Sequence, residues 1–124
     1  MADYGKIEVT ATYSKKSDFS SPRAVFKPDA YNPTTGPDEY DVYLVDTTAT
    51  VNTTKYDSIM AVVVKNNDAT NSVTVAFQNA AASAQSQVLA AGKVAVFPDV
   101  LPSANLTLTA SSGTIECEVF VMGS

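Results

Sequence analysis

The sequence predicts an all-β fold: an antiparallel β-sandwich, jelly-roll-like, of about eight short strands, with a long irregular N-terminal loop or arm. Three observations predict it. Alternating, β-branched runs recur at close spacing, and Asn, Asp, Gly and Pro punctuate them. No segment keeps a helical period over ten residues. The 124 residues make one domain, 1–124, large enough for a core without a disulfide or a metal.

The elements follow in order. Residues 6–13, Lys-Ile-Glu-Val-Thr-Ala-Thr-Tyr, alternate and predict a strand. Residues 14–39 then hold Pro22, Pro28, Pro33 and Pro37 with Gly36 and several Ser, Asp and Asn. Proline removes a donor and fixes φ, so this stretch forbids a long helix and cannot be a central strand. It still carries Phe19, Val25, Phe26 and Tyr31. Either it folds back over its own sandwich, or it is an arm that packs on a neighbouring subunit. Phe19, Val25, Phe26, Tyr31 and Tyr40 are the candidate inter-subunit contacts. Removal of residues 16–36 is expected to spare the β-domain and impair assembly.

Strand signals return at Tyr40–Val45 and continue past a kink to Val51. Residues 59–65 form the most apolar strand. Residues 66–71, Asn-Asn-Asp-Ala-Thr-Asn, are a turn, since Asn and Asp bond their own backbone. Residues 72–78 alternate, with Val73, Val75 and Phe77 on one face. The Ala-rich residues 79–86 are long enough for one helical turn only. Residues 87–97 predict a hairpin with Gly92 in its turn. Residues 105–109 are a further strand, and Ser111-Ser112-Gly113 a turn into a last strand, 114–122. There Ile115, Cys117, Val119 and Val121 share a buried face, opposite Glu116 and Glu118.

Composition excludes several chemistries. With no His there is no imidazole base, triad or imidazole metal ligand. A net charge of −5, with only Lys15 and Lys16 adjacent, argues against nucleic acid. The longest apolar run, Ile59 to Val64, is too short to span a membrane. The first residues lack the charged start and apolar stretch of a signal peptide, so synthesis in a cytosol is expected. The Asn-x-Thr triplets at Asn52 and Asn105 then count as loop and strand threonines. Cys117, between two glutamates, is a buried hydrophobe and not a nucleophile. Glu116 and Glu118 resemble a carboxylate pair but mark a solvated face, because no Trp platform accompanies them. Asn66, Asn67, Asp68 and Asn71 approach a calcium loop without its glycine and final Glu, and Asp38, Glu39 and Asp41 are a second acidic cluster. No catalytic residue, cofactor or metal is assigned.

Charge is uneven. Nine of the 13 acids and six of the eight bases lie in residues 1–57. The remaining strands present mainly Thr, Ser, Gln and Asn. Charge is depleted where surfaces pack against partners, so an oligomeric structural protein is expected.

Three segments carry a family likeness: Ile59 to Val75 with its Asn/Asp turn, the hairpin Leu89-Ala-Ala-Gly-Lys-Val-Ala-Val-Phe-Pro-Asp99, and Ala104-Asn-Leu-Thr-Leu-Thr-Ala110. They resemble the β-sandwich decoration or cement proteins on tailed-bacteriophage capsids. The resemblance implies a jelly-roll-like, self-associating subunit with no enzymatic activity, its irregular segment reaching over the major capsid protein. Its location would be the virion, after synthesis in the bacterial host cytoplasm, and its partners further copies of itself, as a trimer, and the major capsid protein or another virion protein. A tail, fibre or head-fibre component is the nearest alternative. A carbohydrate or cell-surface binding module is the alternative from another class, although Phe77, Phe97 and Phe120 are expected inside.

Overall fold

The computed structural model describes residues 39–123 in full and, before them, the backbone of four short strands. These are β1 (Asp3–Gly5), β2 (Ala11–Ser14), β3 (Pro22–Phe26) and β4 (Thr34–Gly36). The remaining strands are β5 (Glu39–Val51), β6 (Ile59–Asn66), β7 (Val73–Gln78), β8 (Ala84–Leu89), β9 (Val94–Phe97) and β10 (Leu106–Gly123). The described residues contain no helix, so the all-β class holds.

The last six strands form one antiparallel sheet in the order β8-β7-β10-β6-β9, with β5 paired to the other edge of β10. The 18-residue β10 is its axis. β5 runs along one side of β10 for nearly its whole length, from Leu106↔Val51 to Val121↔Glu39. On the other side β7 pairs with the first half of β10, Thr107↔Ala76 to Ala110↔Val73. β6 pairs with its second half, Cys117↔Asn66 to Gly123↔Ile59. β5 thus continues past its kink to Val51 as expected, whereas the single long β10 replaces the two strands expected at 105–109 and 114–122.

The long pair bends in the middle. The register jumps from Thr109↔Thr48 to Thr114↔Asp46, so residues 110–113 of β10 stand against Thr47 alone. Thr47 (φ 84°) and Gly113 (φ 62°) both adopt left-handed backbone there. An excess of residues on one strand bends it and raises its twist. Ser111-Ser112-Gly113 is thus a bulge inside one strand and not the expected chain reversal.

The bend curls the sheet over a single core. Val73, Val75, Leu89, Leu106 and Leu108 from one half cluster with Val62, Val64, Phe97, Ile115, Cys117, Val119 and Val121 from the other. Phe77 of β7 meets Phe97 of β9 edge to face, with ring centroids 5.1 Å apart, although β10 and β6 lie between their strands in the sheet. The buried parity of β10 is the one read from the sequence: Ile115, Cys117, Val119 and Val121 in, Glu116 out.

Two other expectations are corrected. The turn at Gly92 (φ 74°) exists, with the Lys93 amide donating to the Ala90 carbonyl at 3.1 Å. Its flanking strands do not pair with each other: β8 joins β7 and β9 joins β6. Asn66 separates them. Its amide donates to the Lys93 carbonyl, and its carbonyl accepts from Gly92, both at 2.9 Å. The Ala-rich stretch makes no helical turn. The Asn79 side chain accepts from the amides of Ala81 and Ser83, which closes a tight loop into β8.

In residues 14–39 part of the chain is regular. β3 starts at Pro22 and pairs with β2, and β4 pairs with β1. Proline at a strand's first residue removes no needed donor. Both are two-stranded ribbons outside the six-stranded sheet, which agrees with the expectation that this proline-rich stretch supplies no central strand.

Candidate functional site

Side chains of opposite parity to the core face outward, and the bend divides this outer surface into two fields. Beside the first half of β10, cross-strand rows run Thr48-Thr109-Thr74-Val88 and Thr50-Thr107-Ala76-Ser86. Neither row contains a charge. Hydroxyls on such a face hydrogen-bond to water and need no partner.

Beside the second half the rows carry large apolar side chains. One runs Tyr40-Phe120-Val63-Val96, the next Val42-Glu118-Lys65-Val94, and Leu44 stands beside Glu116 in a third. Leu44 is 70% exposed, Tyr40 59% and Val94 54%. Val42 and Val96 are also exposed. Exposed valines and leucines are ordinary singly, but here five large apolar side chains share one field. A shallow depression of about 250 Å³ lies among Tyr40, Val63, Lys65, Val94, Glu118 and Phe120.

The polar groups in this field satisfy each other. The Tyr40 hydroxyl donates to the Glu118 carboxylate, and the Lys65 ammonium stands 3.9 Å from the same carboxylate. That hydroxyl bond, foremost, holds the Glu118 carboxyl below its ordinary range and pushes the Tyr40 phenol up. Asn67 donates from its side chain to Glu116 at 3.3 Å. Glu116 and Glu118 are therefore engaged in surface hydrogen bonds, not posed as an acid and base pair.

Other candidates resolve into structural roles. The Asp68 carboxylate accepts from the amides of Asn71 (2.6 Å) and Thr70 (3.0 Å), and these bonds hold its carboxyl low. The Asn66 side-chain oxygen accepts from the Asp68 amide. The side-chain oxygens of Asn66 and Asp68 thus turn toward their own loop, as in an Asx turn. Of the second acidic cluster, Glu39 pairs with Lys55 and Asp41 accepts from the Val42 amide at 2.8 Å, while Asp38 lies outside the described residues. No group of three acidic or Cys side chains among the described residues is arranged to hold a metal ion. Burial pushes the Cys117 thiol up to about 11, so it is not a thiolate at neutral pH.

Of the contacts expected from the sequence, Tyr40 sits in the apolar field. Val25 and Phe26 lie on β3, opposite Thr12 and Ala11. Phe19 and Tyr31 fall outside the described residues. The field also contains Val42, Leu44, Val94, Val96 and Phe120, which the sequence reading missed. Phe120, expected inside, faces out; its parity with Glu116 and Glu118 was the available signal. Phe97 is buried and Phe77 packs against the core, as expected.

Comparison of the chain with protein-family models, with curated proteins and with solved structures gives no match.

Proposed function

We propose that the chain is a non-enzymatic structural subunit of a tailed-phage particle, of the capsid decoration or cement type. The observation that carries this reading is the apolar field on the outside of a sheet whose inside already holds a complete core. Such a surface supports association with a partner, because water-exposed apolar area of this extent is costly. The carboxylates of Glu39, Asp41, Asp68, Glu116 and Glu118 are engaged in loops and surface bonds, and the thiol is buried, which supports assembly over catalysis.

In this reading the two halves of the curled sheet act as the two layers of a jelly-roll-like sandwich. The bent β5–β10 pair crosses from one layer to the other. The subunit self-associates and seats on the major capsid shell, after synthesis in the bacterial cytoplasm. The Thr rows and the apolar rows then do different work: the first stays wet, the second is covered.

The test is mass spectrometry of intact particles purified from the chain's source, with heads and tails separated. The expected result is many copies per particle, in the head fraction. Recovery with tails would favour the tail or fibre alternative. Recovery only in the soluble, particle-free fraction would overturn the reading.

A further inference from the structure

β5 is a free edge. Among the described residues its main chain pairs only with β10, and it runs for 13 residues. Alternation in an antiparallel strand sends the N–H and C=O groups of successive residues to opposite sides. The Val42 amide donates to its own neighbour's carboxylate, Asp41, and not into the ladder. It follows that Val42, and by alternation Tyr40 and Leu44, aim their main-chain groups at the open edge. These same three residues carry the exposed apolar side chains of the edge.

We infer that β5 pairs antiparallel with β5 of a second copy, about a two-fold axis at Val42, joining the two sheets into one. In this register Val42 meets its symmetry mate, and Tyr40 meets Leu44 of the second copy, in both directions. Each of these facing pairs can exchange two N–H···O bonds. All three pairs are apolar on the outer face. On the other face Asp41 meets Tyr43 of the second copy, so within residues 39–45 no like charges stand directly opposite. The Asp41 cap covers one edge amide in the separate subunit, and the intermolecular ladder replaces it.

The inference goes beyond the virion reading and does not need it. The association is two-fold, in place of the trimer that the resemblance implies. The apolar field exposes on the order of 500 Å². Pairing edge to edge covers only its β5 margin, less than the roughly 800 Å² per partner of a standard interface. The dimer is therefore weak, with a dissociation constant on the order of 10–100 µM. The two Asp41 side chains lie diagonal across the axis, about 7–8 Å apart, so added salt strengthens it.

Sedimentation equilibrium of the intact chain tests this. The expected result is a monomer–dimer equilibrium that tightens from low to moderate salt. Val42→Pro removes an edge donor without touching the β10 ladder, and is expected to sediment as a folded monomer. Leu44→Lys, at the most exposed apolar side chain of the edge, is expected to weaken the dimer at least tenfold. It keeps the test open if the proline variant does not fold. The register has its own reading. Two residues at the axis have Cα atoms about 5.5 Å apart, within disulfide range. Val42→Cys is expected to crosslink to itself on mild oxidation, and Tyr43→Cys is not. A monomer at about 1 mM, a three-fold mass, or an unchanged dimer in folded Val42→Pro or in Leu44→Lys would overturn the inference. Efficient crosslinking of Tyr43→Cys with none of Val42→Cys would overturn the register. Failure here leaves the particle test above unaffected, and the reverse also holds.

Discussion

Replacing Asn66 by Ala removes the polar centre that separates β8 from β9. Asn66 is fully buried at the end of β6. Its side-chain amide donates to the carbonyls of Asn71 (2.9 Å) and Leu89 (3.0 Å), and its oxygen accepts from Asp68 at 2.9 Å. The Leu89 bond is buried, so truncation strands that carbonyl at about 1–3 kcal/mol. The other two groups lie closer to solvent, where water can replace the bond at about 0.5–1 kcal/mol each. The expected loss is about 3 kcal/mol. For a chain of this length that corresponds to a fall in Tm on the order of 10 °C. Urea unfolding followed by far-UV circular dichroism reads it as a lower midpoint at unchanged slope. Asn66→Asp keeps the acceptor but turns a carboxylate toward two carbonyls, so it is worse than Ala at neutral pH. Burial raises that carboxyl's pKa, so its protonated form is the one the fold tolerates, and the deficit shrinks as pH falls. A loss under about 1 kcal/mol for Asn66→Ala would refute the assignment of Asn66 as the junction of β6, β8 and β9.

Val119→Ala deletes two methyl groups from the middle of β10, at a side chain only 1% exposed, and is expected to cost about 1–3 kcal/mol. A thermal melt with no shift would take β10 out of the core. Cys117 adds a pH dependence. Its folded thiol titrates near 11, against about 8.5 in an unfolded chain. Below the lower value both states are protonated and the buried thiol's contribution is intact. Between the two, the unfolded chain ionises first and stability falls by about 1.4 kcal/mol per pH unit. Cys117→Ala lacks this term, so its deficit against the native chain narrows from pH 8 toward pH 11 in parallel urea titrations. A constant deficit would contradict the burial of the thiol.

What was legible in the sequence was local. The parity of Ile115, Cys117, Val119 and Val121 against Glu116 and Glu118 needs only a period of two and a charge on the wet side. The loop at residues 66–71 follows from short polar side chains that bond their own backbone. What was not legible depends on distant partners. Ser111-Ser112-Gly113 has turn composition, but whether the chain reverses there depends on β5, which runs past it and holds both flanks of β10 in one ladder. Gly92 does make its turn, yet its strands separate because Asn66, over 20 residues earlier in the chain, occupies the place between them. The site was legible in one residue. Tyr40 was among the candidate contacts, whereas Val42 and Leu44 were not. Residues 40–45 are apolar on both parities, with Tyr40, Val42 and Leu44 on one and Tyr43 and Val45 on the other. Alternation alone cannot say which set is wet.

That double apolarity has a physical consequence. At about 25 cal/mol per Å², the outer field forgoes on the order of 10 kcal/mol of burial, an upper bound because the unfolded chain hides part of it too. The fold does not need these side chains for its core, which Val45 and the opposite parity of β10 already supply from the inner face. An edge strand with Leu44 and Tyr40 exposed is also a hazard for uncontrolled pairing. The charges nearby restrain it: Asp41 covers the Val42 amide, and Glu118, Lys65 and Glu116 interrupt two of the field's three rows. The result is an edge guarded against casual contact, beside a surface with large apolar area to gain from a fitted one. A surface kept only for solubility would resemble the Thr rows on the other half of the same sheet, where Thr48, Thr109 and Thr74 carry no charge and Val88 at the margin is the one exposed large apolar side chain.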